Sequence, residues 1–438
     1  MNDNKENEKK PEDGKKIGLG DRIGKLKKDA GARLDKYLEA RKERLHANDA
    51  IFSESLSEEK KEPEILARGG IDTWFLLCVG LLLVFGAIMS YSASSVFAQN
   101  RYGDSAYFFK RYVLYAILSI RASIPFVLFM TPRLWKGGGV VIYAATILLL
   151  LLVLVIGDSG GGAQRWIALG PITIQPSEIA KMALVMVLAL YMAKYEKKIT
   201  SVHQFGGSFR YGVLIPGCII GLICGLVALE KHISGLIIIG MIGISVMFLG
   251  GTRKKWILLI LGTVAFAACG LVLVSDYAQA RVNTWINIDT ADPRGAAWQT
   301  LQGLYAIGSG GLFGRGLGYS QQKFGYVSQP QNDFIFTIIC EELGFFGAIL
   351  VVGLFGFLVW RGFKIASHAP NKFCSLVVYG LVFKTAIQAA LNIAVVTNAI
   401  PNTGIALPFF SSGGTALAIQ IFEMAVILSI SRYSTLKK

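Results

Sequence analysis

From about residue 70 onward, long apolar stretches alternate with short polar breaks, and each approaches the roughly 20 residues a helix needs to cross a hydrocarbon core. They fall near 72–92, 112–131, 139–157, 177–194, 211–229, 232–250, 254–275, 334–360, 374–397 and 412–431. The pattern predicts an all-α polytopic membrane protein with about ten transmembrane helices and a large loop between the seventh and eighth. The first apolar run follows a highly charged stretch far from Met1, so it reads as an uncleaved span and not as a secretory signal.

Cations fall on alternate connections. Arg133 and Lys136 lie on one; Lys194, Lys197, Lys198 and Arg210 on another; then Arg253, Lys254 and Lys255, and Arg361, Lys364 and Lys372. The tail adds Arg432, Lys437 and Lys438, whereas Asn398–Phe410 carries no charge. The positive-inside bias then predicts both termini in the cytoplasm and the 276–333 connection outside.

The predicted domains are a charged N-terminal segment at 1–70, a spanning domain at 71–432 and a short tail at 433–438. Residues 1–16 are too polar to pack. Leu19, Ile23, Leu26, Ala30, Leu34, Leu38 and Leu45 share one helical face, with Lys and Arg opposite. Such a helix lies on an anionic leaflet, pairs with a partner, or is merely a solvated tail. Residues 52–66 read as a linker.

Composition narrows the classes. The 438 residues are 53% hydrophobic and 17% charged, and soluble domains carry roughly a quarter charged residues. The formal charge of +15 is accounted for by positive-inside loops and the N-terminal segment, so nucleic acid is excluded as a partner. Cys78, Cys218, Cys224, Cys269, Cys340 and Cys374 lack metal-ligand spacing and read as free thiols. His46, His203, His232 and His368 are scattered and form no zinc site.

Candidate chemistry lies in ionisable groups inside or at the ends of spans, each costly in lipid. They are Arg121, Glu178, Lys181, Glu230, Lys231, His232, Asp333, Glu341, Glu342, Lys384 and Glu423. Lys384 and Glu423 read as a structural pair, with each other or with Glu341 or Glu342. Asp333 opens an apolar helix and is either an N-cap or a reactive carboxylate. Lys181 either neutralises Glu178 one turn earlier or meets a ligand. The segment NAIPNTGIALPFFSSGG at 398–414 holds irregular backbone near membrane depth, which is tolerated only when buried in protein or lining a cavity.

Four stretches carry a resemblance. SYSAS at 90–94, RWIALGPITIQPSEIAKMALV at 165–185, the run RGAAWQTLQGLYAIGSGG…QPQNDFIFTIICEELGFFG at 294–347 and QAALNIAVVTNAIPNTGIALPFFSSGGTALA at 388–418 resemble the FtsW/RodA/SpoVE (SEDS) family in order and spacing. The resemblance implies a peptidoglycan glycosyltransferase of the bacterial cytoplasmic membrane that polymerises lipid II (undecaprenyl-pyrophosphate disaccharide-pentapeptide) by one inverting displacement. It implies Asp333 as the catalytic residue and Lys181, Arg165, Arg281, Gln299, Gln302, Ser411 and Ser412 as substrate-binding. A class B penicillin-binding protein and divisome proteins are the implied partners; no organic cofactor is implied, and a divalent metal ion is left open. The PQND stretch and long N-terminus resemble the division and sporulation branches more than the elongation branch. A lipid II flippase using the same cavity is the alternative. Gln329 departs from a family Glu, and Lys231 stands where proline is expected.

Overall fold

The computed structural model describes Lys36, Glu39 and residues 69–434, apart from 161–162, 171, 202–203, 275, 289–296, 328–329 and 412. The predicted N-terminal helix, the 52–66 linker, His46, His203, Gln329, Ser412 and the last four residues lie outside the described residues. The chain divides into two units, Met1–Leu66 and Ala67–Lys438, and every predicted span belongs to the second.

Ten helices stand where the ten spans are predicted. They are α1 Thr73–Tyr102, α2 Tyr107–Phe129, α3 Pro132–Ile156, α4 Pro176–Lys194, α5 Ile215–Leu229, α6 Ile233–Leu249, α7 Lys254–Val274, α10 Ile335–Ser367, α11 Lys372–Val396 and α12 Gly414–Ser431. A π-helical stretch, Gln204–Leu214, leads into α5. Eight of these segments are long and apolar enough by themselves to cross a membrane. The shorter α6, at 17 residues, rises only about 26 Å. The chain is a multi-pass membrane protein.

The connections hold more structure than the hydropathy pattern predicts. Between α3 and α4 runs an antiparallel ribbon of β1 Asp158–Gly160, β2 Ala163–Leu169 and β3 Ile172–Ile174, with Asp158 opposite Trp166 and Ile167 opposite Ile174. The 276–333 connection contains two helices, α8 Asp276–Ile286 and α9 Trp298–Gly310. α9 lies close against α10: a Cβ on Gly303 would stand 2.9 Å from the Phe334 ring, and one on Gly310 would stand 1.9 Å from the Cys340 carbonyl oxygen. With buried Ala306 between them, these small residues let two backbones approach.

Several charged groups in the interior are paired. Lys384 Nζ meets Glu423 at 2.7 Å and Gln420 Oε1 at 2.8 Å, so the predicted structural pair forms between these two residues. Glu341 and Glu342 serve elsewhere, accepting from Gln321 N and Lys323 Nζ at 2.8 and 3.1 Å and from Ser92 Oγ. They staple the 315–323 loop onto α10. Arg361 and Asp72 pair at the opposite end of the bundle, where Asp72 also caps α1.

The same loop imposes a backbone demand at Gly344, which interrupts α10 with φ 66° and ψ −160°. That region is essentially closed to side-chain-bearing residues. A Cβ there would also stand 2.3 Å from Gly314 N and 2.6 Å from Leu312 O. Gly344→Ala is expected to lose more than the ~1–3 kcal/mol of backbone strain alone, read as a clear fall in Tm in detergent. Gly353→Ala, in the same helix with open space around it, is the control and should hold or raise Tm.

Candidate functional site

A cavity of about 280 Å³ opens at the end of the bundle where α4, α6, α10 and α12 begin. Four of the sequence-predicted residues line it: Asp333, Lys181, Arg165 and Ser411. The 398–411 segment makes one wall, and six of its carbonyls accept from side chains around it. Trp285 and Arg281 donate to Asn398 O and Asn402 O at 2.9 and 2.6 Å. Ser234 donates to Thr403 O, Asn392 to Ile405 O at 2.6 Å, Gln388 to Ala406 O at 3.1 Å and Tyr112 to Phe409 O at 2.5 Å. Irregular backbone that lines a cavity is here held by protein donors.

Asp333 stands just before α10, half-buried. The helix is entered through Phe334 with no side-chain cap, so the capping role open to Asp333 on sequence is not taken up. Its backbone is fixed instead: the Asn392 amide donates to Asp333 O at 2.6 Å. Gly404, at φ 66°, bends the facing segment away, and a Cβ there would stand 3.5 Å from Asp333 Oδ2. Burial pushes the Asp333 carboxyl up to about 6, against a smaller downward pull from its own backbone N–H.

Lys181 and Glu178, one turn apart on α4, pair at 2.7 Å, and Lys181 Nζ also donates to Gln388 Oε1 at 3.2 Å. The pairing with Glu178 is formed, and the paired lysine also lines the cavity. Across from it, β2 carries Arg165, whose Nη2 donates to Lys231 O at 2.6 Å while its Nε is buried without a partner. Lys231 has φ 55°, a conformation closed to the proline expected there, whose ring holds φ near −65°. The departure at 231 thus goes with the turn that presents its carbonyl to Arg165.

Two titratable neighbours complete the electrostatics. His232 Nδ1 lies 3.2 Å from Ser177 Oγ, and burial with the adjacent Arg165 charge drives its pKa down to about 4, so the ring is neutral near pH 7. Glu230 is buried, both carboxylate oxygens lack partners, and burial raises its pKa to about 7 against the pull of Arg165.

Arg281, Gln299 and Gln302 are not among the residues lining the cavity. Arg281 on α8 donates to the Asn402 carbonyl, and Gln302 is buried on α9. Gln388 and Ser234, which no motif singles out, line the cavity with His232, and Asn392 supports it through Asp333 O and Ile405 O. The signal for two of them is a stripe, Lys384, Gln388 and Asn392, at i, i+4 and i+8 along an otherwise apolar span. No group of three or more His, Cys, Asp or Glu gathers among the described residues. Glu178 is engaged by Lys181, leaving Asp333 as the cavity carboxylate not held by a cation. That donor set does not fit a divalent ion held by protein alone.

The comparisons agree with one another. The family described as "Cell cycle protein", FtsW/RodA/SpoVE, matches residues 72–436. Stage V sporulation protein E of Bacillus subtilis is 37% identical over 368 residues, covering 83% of this chain and 97% of that protein. The probable peptidoglycan glycosyltransferase FtsW of Trichlorobacter lovleyi is 36% identical, covering 82% and 93%. Among solved structures, a chain of a peptidoglycan synthase complex superposes with TM-score 0.69 at 24% identity, covering 83% of this chain and 98% of that one. The rod shape determining protein RodA of Thermus thermophilus superposes with TM-score 0.61, also at 24% identity, covering 84% and 98%. These two likenesses establish the fold.

Proposed function

The chain belongs to the FtsW/RodA/SpoVE family, and from that premise we propose that it is a peptidoglycan glycosyltransferase that polymerises lipid II at the outer face of the bacterial cytoplasmic membrane. The observation that carries the reading is one cavity in which a carboxylate raised to about 6 faces Lys181 and Arg165. Asp333 accepts the proton of a sugar 4-hydroxyl as that oxygen attacks the anomeric carbon of a second sugar. The carbon–oxygen bond to the polyprenyl diphosphate breaks and its electron pair leaves with the diphosphate. Lys181 as a point charge and Arg165 as a planar donor stabilise the charge that builds there. The α-linked donor becomes a β-linked product in one displacement.

The names of the relatives support a role in division or sporulation over elongation. The synthase-complex neighbour supports a penicillin-binding protein as partner. Cytoplasmic termini and an outward cavity follow from the cation bias of the opposite loops. The test is purified protein with labelled lipid II: polymer formation supports the enzyme, and translocation across vesicles without polymer supports the flippase.

A pH dependence follows from Asp333. Only its ionised form accepts a proton, and burial keeps it protonated up to about pH 6. Polymerisation should therefore climb about fivefold from pH 5 to pH 6, reach about tenfold by pH 7 and level off above it. Glu230, raised to about 7, titrates nearby. Glu230→Gln should leave that limb in place, whereas a limb that vanishes with Glu230 would reassign it.

A further inference from the structure

We propose that a second cavity, of about 420 Å³ between the end of α1 and the 323–327 turn with Pro330, is a carbohydrate subsite that holds the growing glycan strand beside the reaction cavity. The inference rests on the polymerase reading above and extends it from the reacting sugars to the polymer.

The wall chemistry is that of a sugar groove. Phe97 and Phe324 offer aromatic faces, Asn100 an amide and Arg101 a cation, and no Asp or Glu lines the cavity. Aromatic faces suit the apolar C–H faces of pyranose rings, and an amide pairs with hydroxyls and acetamido groups. Arg101 matches the carboxylates of the peptide stems such a strand carries. Its guanidinium stands 5.9 Å from the Phe97 ring centroid. The polar side chains are exposed and ready for a ligand, while the floor is rigid. Lys323 is buried, its Nζ held by Gly318 O at 2.6 Å and by Glu342 at 3.1 Å.

Exposure of the rings makes the same point. Phe324 is 64% exposed and neighbouring Tyr326 50%. The exposed Phe324 ring, which lines the cavity, is open to stacking by a ligand.

Position ties the groove to the chemistry. Pro330 lines it, and Asn332 and Asp333 line the reaction cavity. Successive Cα atoms are 3.80 Å apart, so Pro330 and Asn332 are separated by at most about 7 Å. A strand leaving the reaction cavity along this loop meets the groove within its first repeat. Every new repeat attached to a strand held there finds the chain end already positioned, which raises the effective concentration for the next coupling.

The experiment uses the purified full chain alone with labelled lipid II. Arg101→Ala and Phe324→Ala should shorten the mean product at least threefold, while the initial rate of lipid II consumption changes less than twofold. Phe324→Tyr, which keeps the ring, should retain wild-type lengths, and Tm of each variant checks the fold. Soluble glycan fragments carrying peptide stems should bind the wild type and bind the two Ala variants at least tenfold more weakly. Unchanged lengths and unchanged fragment binding would overturn the proposal. An effect that emerges only when a penicillin-binding protein is added would also overturn it, assigning the groove to protein docking. A wild type that makes no polymer at all would instead overturn the polymerase reading and the groove with it.

Discussion

Asp333→Asn is expected to lower polymerisation at least a hundredfold in a protein that keeps its shape. General-base assistance contributes about two to four powers of ten, and Asn matches Asp in size while accepting no proton. A structural role predicts otherwise, and the geometry leaves little room for one. The helix after Asp333 has no side-chain cap, and the contact that ties the residue down, from Asn392 to its carbonyl, is a main-chain contact the variant retains. A carboxyl whose pKa burial has raised to about 6 is unfavourable to bury ionised above that pH. Replacing it with a neutral amide should therefore leave Tm unchanged or higher at pH 7. Rate and Tm measured on one preparation separate the cases. A variant retaining more than a tenth of wild-type polymerisation would remove Asp333 from the chemistry and bring the flippase reading forward.

The spans were legible because each is a long apolar stretch, the strongest signal a membrane chain carries. The connections were not. Gly303, Gly308, Gly310 and Gly311 give no helical signal of their own, yet two of these glycines are where α9 closes on α10. The 158–174 ribbon is built from strands of three and seven residues, too short for a periodicity to declare itself. At the site, charges announced themselves and amides did not. Asp333 and Lys181 stand out as charges in or beside apolar runs and Arg165 through the family resemblance, whereas Gln388 and Asn392 read as ordinary residues of a polar-tolerant helix until the fold hands them Lys181, Ala406 and Ile405 as partners. The resemblance places Arg281 with the substrate-binding residues, and its guanidinium braces the Asn402 carbonyl, two residues from the bend that faces Asp333.

Lys181 calls for a pair of variants, because two effects are superimposed there. Lys181→Met alone leaves Glu178 buried without its 2.7 Å partner, and breaking a buried pair costs about 3–5 kcal/mol. Tm should drop, and activity with it, whichever role the lysine has. The double variant Glu178→Gln with Lys181→Met removes both charges in near-isosteric form. Replacing a whole buried pair is often neutral or stabilising, so Tm should return close to wild type. Activity should not return if the ammonium faces the leaving diphosphate. A hydrogen bond to a charged group is worth about 1.5–3 kcal/mol, which converts to a loss of roughly 10- to 150-fold in kcat/KM. The loss should persist in the double variant at restored Tm, and saturating lipid II should not fully overcome it, because charge on the diphosphate peaks in the transition state. Recovery of kcat/KM together with Tm would show that Lys181 serves only to neutralise Glu178, and would leave Arg165 as the cation facing the diphosphate.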